Sequence, residues 1–354
     1  MTKQTWTALV AGICFAACVL VAAVVPVPFV IWSAGPTSDL LATGDTVPVT
    51  VTNATNYPTT GRLLVTTVSQ TRLSANVSLL EALYSYWAEQ REVQPRSAVF
   101  PAGVDESTLA AEQATELTSA QEDAAAAALR SAGIKVDPVP VVAAVNAAGP
   151  SAGKLLVRDA VIAIRYTTTP TATAVQTAAE ASTAIASGKV GDQIMFSIVR
   201  DGVPQDVLVT TQSSKTSADQ PVAGVSFVQG FRYAPEVTFK LDPSVVGSGS
   251  GLMLALAIYD KVTPDALLKE RIVAGSGSID ANGAVSRVAA IREKVVSAER
   301  AGASVFLLPA ANCAELAGQR PTVRLVPVAT LAEAVDALGA LSDTEKAKTV
   351  KGCP

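Results

Sequence analysis

The residues Gly247-Ser248-Gly249-Ser250-Gly251 run directly into the apolar stretch Leu252-Met253-Leu254-Ala255-Leu256-Ala257-Ile258-Tyr259, and Lys294 follows further along the chain. The 354 residues contain no histidine. Histidine is the commonest base for activating a serine or cysteine and the commonest metal ligand, so nucleophilic chemistry here needs another base. A lysine can fill that role. A serine at the start of a helix has backbone N–H groups and the positive dipole end beside any oxyanion that forms. A lysine kept among apolar atoms has a lowered pKa and can accept the serine proton.

Lys294 fits this description. On the helix predicted over Ala290–Ala301, its face carries Ala290, Ser297, Ala298 and Ala301, all small, while Arg292, Glu293, Glu299 and Arg300 point elsewhere. Such a face sets the long side chain into a crevice rather than across solvent. The chemistry therefore expected is acyl transfer by a serine in the glycine-serine run. Without histidine, and without cysteines or carboxylates clustered at ligand spacing, no metal and no cofactor are expected.

These residues need elements to hold them. Strands are expected near Val222–Val228, Glu236–Leu241, Arg271–Ala274, Ser304–Leu308 and Val323–Val328. Helices are expected after Gly251, over Ala290–Ala301 and over Leu331–Leu341, an α/β alternation. Further upstream, Arg62–Val68 reads as a strand. Leu79–Gln90 and Gln113–Ala132 read as helices, the second closed by Gly133. The middle of the chain is richer in strands: Val139–Val145, Gln193–Arg200 and Gln205–Thr211, with a tight turn at Asp201-Gly202 and a helix around Thr173–Ala186.

Composition limits the setting. Apolar residues make up 49% of the chain and the net charge is −4, with no basic stripe, so nucleic acid is not expected as a partner. Ala8 to Trp32 carries no charge and is long enough to cross a bilayer. Lys3 precedes it and no basic residue follows until Arg62, which orients the N-terminus to the cytoplasm and the bulk outside. A cleaved signal peptide is the rival reading; Pro26, Pro28, Phe29 and Trp32 read as an interfacial exit and favour an uncleaved anchor. Cys14 and Cys18 fall in that segment as small apolar residues. Cys313 and Cys353 fall outside it, where a disulfide between them would pin the tail.

The chain resembles a known family along its length. The run Val245 to Lys261 is similar to the nucleophile segment of Lon proteolytic domains, and Val273-Ala274-Gly275-Ser276-Gly277-Ser278-Ile279-Asp280 and Ala290-Ile291-Arg292-Glu293-Lys294 also fit. The stretch from Gly133 to Gln212 resembles a PDZ domain of the bacterial protease-associated kind, with Arg158 where that family has a glycine before the aspartate. With the N-terminal anchor and Tyr57-Pro58-Thr59, the whole is similar to membrane-anchored, PDZ-containing Lon-like proteases of bacteria, especially actinobacterial ones.

The resemblance implies a nucleophilic serine in Gly-Pro-Ser-Ala-Gly and a lysine base on a later helix. The flanking residues put Gly249 at that serine's position, with serines on either side. Ser250, or Ser248 as the alternative, then serves as a displaced nucleophile, Lys294 as base and Ser276 as the hydroxyl that orients the lysine. The other reading is a pseudo-protease that binds peptides without cutting them. The string Gly149-Pro150-Ser151-Ala152-Gly153 matches the motif by letter, but Lys154-Leu155-Leu156-Val157 follows, so it reads as a turn.

No phosphate loop with Gly-Lys-Ser/Thr spacing is present, so an ATPase module is missing and the expected activity is ATP-independent. The domains expected are an anchor at 1–33, an N-terminal extracytoplasmic segment at 34–132, a PDZ-like domain at 133–212 and a linker at 213–221. A Lon-like proteolytic domain at 222–342 and a tail at 343–354 complete the chain. The partners expected are peptides or unfolded proteins, the membrane, and, from relatives, a homo-oligomer.

Overall fold

A computed structural model describes residues 3–44, 46–88, 90–101, 103–169, 171–200, 202–214 and 217–353. The chain divides into two compact units, one made of 1–133 with 235–354 and the other of 134–234.

In the first unit an N-terminal helix, Lys3–Val24, is long and apolar enough to cross a membrane over Gln4–Val24. It ends earlier than the apolar run does. Pro26 and Pro28 lack the N–H groups a helix needs, and residues preceding proline disfavour the α region. The chain turns extended, and Phe29–Asp39 becomes a strand with Val30 fully buried. The expected span to Trp32 is thus shortened, and Phe29 and Trp32 belong to a sheet rather than to an interfacial exit.

That sheet has six strands in the order Arg324–Val328, Val305–Pro309, Ile272–Gly275, Arg62–Gln70, Phe29–Asp39, Arg91–Pro95. The first four run parallel and the last two join antiparallel. Ala274 pairs with Leu64 and with Phe306, all three fully buried, as a strand covered on both faces requires. The segment before the glycine-serine run therefore completes the sheet, its strand Arg62–Gln70 lying directly beside Ile272–Gly275.

Two helices matter for the site. Gly251–Val262 is buried from Gly251 through Ile258. It packs against the long helix Glu106–Ser131, whose run Ala124–Ala128 is buried and small enough to let the two backbones approach closely. The long helix starts seven residues before its expected start because Asp105 caps it, accepting the Thr108 N–H at 2.7 Å. The helix Ile291–Arg300 lies on the strands Phe29–Asp39 and Arg62–Gln70. Ser297 ties it there by donating to Gly35 O at 2.9 Å and Thr67 O at 3.3 Å. The Sγ atoms of Cys313 and Cys353 are in bonding contact, with Cα atoms 5.3 Å apart.

The second unit is an antiparallel sheet in the order Val203–Thr210, Gln193–Arg200, Ala160–Tyr166, Asp137–Val145, Val225–Arg232. Phe196, Ile164, Ile194 and Ile198 form its core, and Ala178–Ala186 is its helix, started by a Thr177–Glu180 capping box. Two expectations are corrected here. The strand placed at Val222–Val228 in the last domain pairs instead with Asp137–Val145, as Val225–Arg232. The supposed linker closes on itself, Gln212–Ser213 pairing with Pro221–Val222. Asp201, half of the turn expected at Asp201-Gly202, lies outside the described residues.

Arg158 occupies φ +77°, a conformation that favours glycine, which accounts for the glycine expected at that position. Next to it Asp159 is buried and takes both Arg200 Nε and Nη2 at 2.7 Å.

Candidate active site

The glycine-serine run forms a tight turn, Ser248–Ser250, that opens the helix Gly251–Val262. Gly247 enters the turn at φ +67°, a conformation costly for any residue with a Cβ. The turn is strapped to the residues after strand Ile272–Gly275. Gly277 N–H donates to Gly249 O at 2.9 Å, and Leu252 N–H donates to Gly277 O at 2.9 Å. Ser276 Oγ adds a second bond to Gly249 O at 2.8 Å.

Lys294 comes from the opposite side. Its helix is entered through Ala290 at φ +54°, a strained value for a non-glycine residue. That bend delivers Lys294 Nζ to Ser276 Oγ at 3.1 Å. Lys294 is 8% exposed, and burial holds its ammonium down to about 8, with the neighbouring Glu293 acting weakly the other way. Glu293, read as pointing away, is itself buried; burial raises its pKa, and its Oε2 has no partner among the described residues.

Position 249 faces the lysine. A Cβ placed there would stand 3.1 Å from Lys294 Nζ and 3.5 Å from Ser276 Oγ. Ser250 is 3% exposed, and its Oγ is unpartnered among the described residues, so its hydroxyl is not hydrogen-bonded to Lys294. Ser248 is half-buried, and its carbonyl takes the Gly251 N–H. The structure thus brings Lys294 and Ser276 together. Ser248, Gly249, Ser250 and Lys294 line one cavity of about 260 Å3.

Val245, Val246 and Gly247 of the motif run also line the cavity, and seven further wall residues carried no signal of it in the sequence. Val65, Thr66, Thr67 and Val68 come from the upstream strand, and Arg287, Val288 and Ala289 from the loop before Ile291. Val288 is clamped by the buried Asn312, whose side chain accepts its N–H at 3.0 Å and donates to its carbonyl at 2.8 Å. Ser151, in the look-alike string, belongs to the second unit. It is fully buried and donates to Ala223 O at 2.7 Å, which is a structural turn's bond.

Comparison with known proteins bears on the stretch that holds these residues. Residues 243–338 match the family described as the Lon protease (S16) C-terminal proteolytic domain. The PDZ domain of an SdrC-like protein from Listeria monocytogenes is similar at 21% identity and a TM-score of 0.22, covering 25% of this chain and 87% of that one. Its counterpart from Listeria innocua is similar at 20% identity and a TM-score of 0.22, covering 25% and 92%. A solution structure from Geobacillus thermodenitrificans is similar at 19% identity and a TM-score of 0.21, covering 25% and 94%. No curated protein matches. Residues 243–338 lie in the first unit, which thus holds a stretch similar to a Lon proteolytic domain.

Proposed function

We propose that this chain is a membrane-anchored, ATP-independent serine endopeptidase working outside the cytoplasm, with Ser250 as nucleophile, Lys294 as base and Ser276 holding the lysine. The observation that carries the reading is a buried lysine of lowered pKa that shares one cavity with an unpartnered serine hydroxyl at a helix N-terminus. The Gly249 carbonyl is held by two bonds, which resist a flip of that peptide toward the lysine. Proton transfer then needs the Ser250 hydroxyl to turn into the cavity and one water to bridge it to Lys294 beside Gly249, a reach that general-base catalysis allows. Ser250 Oγ bonds to the peptide carbonyl carbon, its proton passes to neutral Lys294, and the amine leaves with that proton. Water then hydrolyses the ester.

The second unit supports substrate delivery. Its edge strand Val225–Arg232 and helix Ala178–Ala186 border a groove of about 510 Å3 that includes Ile185, Val225 and Phe227. An extended peptide can add to such an edge. An outside location suits a Cys313–Cys353 disulfide and an apolar span, Gln4–Val24, preceded by Lys3.

Gly249 favours a second reading, peptide binding without cleavage, because the side-chain position that faces Lys294 is empty of a hydroxyl. Incubating the full chain in detergent with casein separates the two. Cleavage by the wild type, lost in Ser250→Ala and in Lys294→Ala, supports the peptidase. No cleavage by the wild type, together with cleavage by Gly249→Ser, supports the binding protein.

A further inference from the structure

The cavity beside Lys294 has the chemistry of an anion site with apolar walls. Lys294 Nζ donates to Ser276 Oγ and, as an ammonium, has three donors in all. Ser250 lines the same cavity, and its Oγ is buried and unpartnered among the described residues. The twelve-residue helix Gly251–Val262 begins there and presents its positive dipole end. Because position 249 has no side chain, the space next to Nζ opens into the cavity. Val65, Val68, Val245 and Val288 supply aliphatic walls, and about 260 Å3 suits a small group rather than a long chain. Two other charges stand near. Arg287 lines the rim and pairs with Glu315 at 3.0 Å, and the exposed Glu116 carboxylate lies beside Gly247.

We propose that this cavity is a binding site for a free carboxylate on a small aliphatic group, held by the Lys294 ammonium and the Ser250 hydroxyl in the space left open at Gly249. A lysine with a pKa of about 8 is mostly protonated at neutral pH, so it meets an anion as a cation. The carboxylate supplies acceptors to an ammonium and a hydroxyl already stripped of water, the setting in which charge-assisted bonds are strongest. The site stands whether or not the domain cuts peptides.

Calorimetric titration of the full chain in detergent tests this with N-acetylvaline, N-acetylvalinamide and butyrate. N-acetylvaline should bind, and the amide should bind about tenfold more weakly or worse, the loss expected for one charge-assisted interaction. Lys294→Met and Gly249→Ala should each weaken the acid by a similar factor, the first by removing the cation and the second by filling the space. The acid–amide comparison uses wild-type protein, so it survives a variant that fails to fold. Butyrate matching N-acetylvaline upholds the site and makes free small acids its source. Butyrate binding more weakly upholds it and makes a peptide C-terminus the source. Absent binding of the acid, equal binding of acid and amide, or binding unchanged in both variants overturns the site. None of these outcomes bears on casein cleavage, because N-acetylvaline offers no bond between residues to cut.

Discussion

At the scale of single residues, the site is a lysine kept at a cost. Burying an ammonium disfavours its charged form, and Lys294 is held at about 8 against an ordinary 10.5. Below pH 8 both folded and unfolded chains carry that charge, so the full penalty of about 3 kcal/mol is present. Between 8 and 10.5 the unfolded chain binds more protons, and stability rises with pH until the penalty is gone. Lys294→Met should therefore melt higher than wild type at pH 7, by up to about 3 kcal/mol in unfolding free energy, while losing activity. In the base role proposed for Lys294, the same titration would set the rate. A base must be neutral, so kcat/KM for peptide cleavage should climb about tenfold per pH unit below 8 and level off above it. A profile flat across pH 8 would remove Lys294 from the base role. The lysine's small-residue face was legible in the sequence. The burial of Glu293 was not, because a charged residue inside the same turn reads as a surface group by type alone.

At the scale of elements, the site depends on how closely three pieces of backbone approach. A Cβ on Gly275 would meet Met253 Sδ at 2.6 Å and Leu307 O at 2.7 Å. Gly275→Ala should push the helix Gly251–Val262 away from the strand that leads into Ser276, destabilising the protein by about 1–3 kcal/mol. Activity should fall more steeply than the melting temperature, since about 1 Å of misplacement can cost roughly a hundredfold in rate. Unchanged activity in the folded variant would separate the turn from the chemistry. Strands and helices around the site were legible where hydrophobic period and glycine stops were strong, as at Val305–Pro309 and Leu331–Ala340. The end of the apolar N-terminal helix differs from the expected one, because apolar content continued past Pro26 and Pro28 although the helix did not.

At the scale of the whole molecule, what the sequence hides is pairing between distant segments. The strand Arg62–Gln70 lies beside Ile272–Gly275 across some two hundred residues of intervening chain, and it furnishes four residues of the cavity wall. Strand Val225–Arg232 closes the second unit's sheet although it follows the whole of that domain's recognisable pattern. Neither pairing leaves a local trace, since each strand's alternation reports a buried face but not its neighbour. The motif residues, in contrast, were legible because their chemistry restricts residue type and spacing. Their roles meet in one question, which hydroxyl attacks. The most direct measurement treats the full-length chain with a fluorophosphonate that traps nucleophilic serines and finds the labelled residue by peptide mass. Attack by Ser250 requires labelling at Ser250 that disappears in Lys294→Ala. An unlabelled wild type beside a Gly249→Ser variant labelled at position 249 would contradict it.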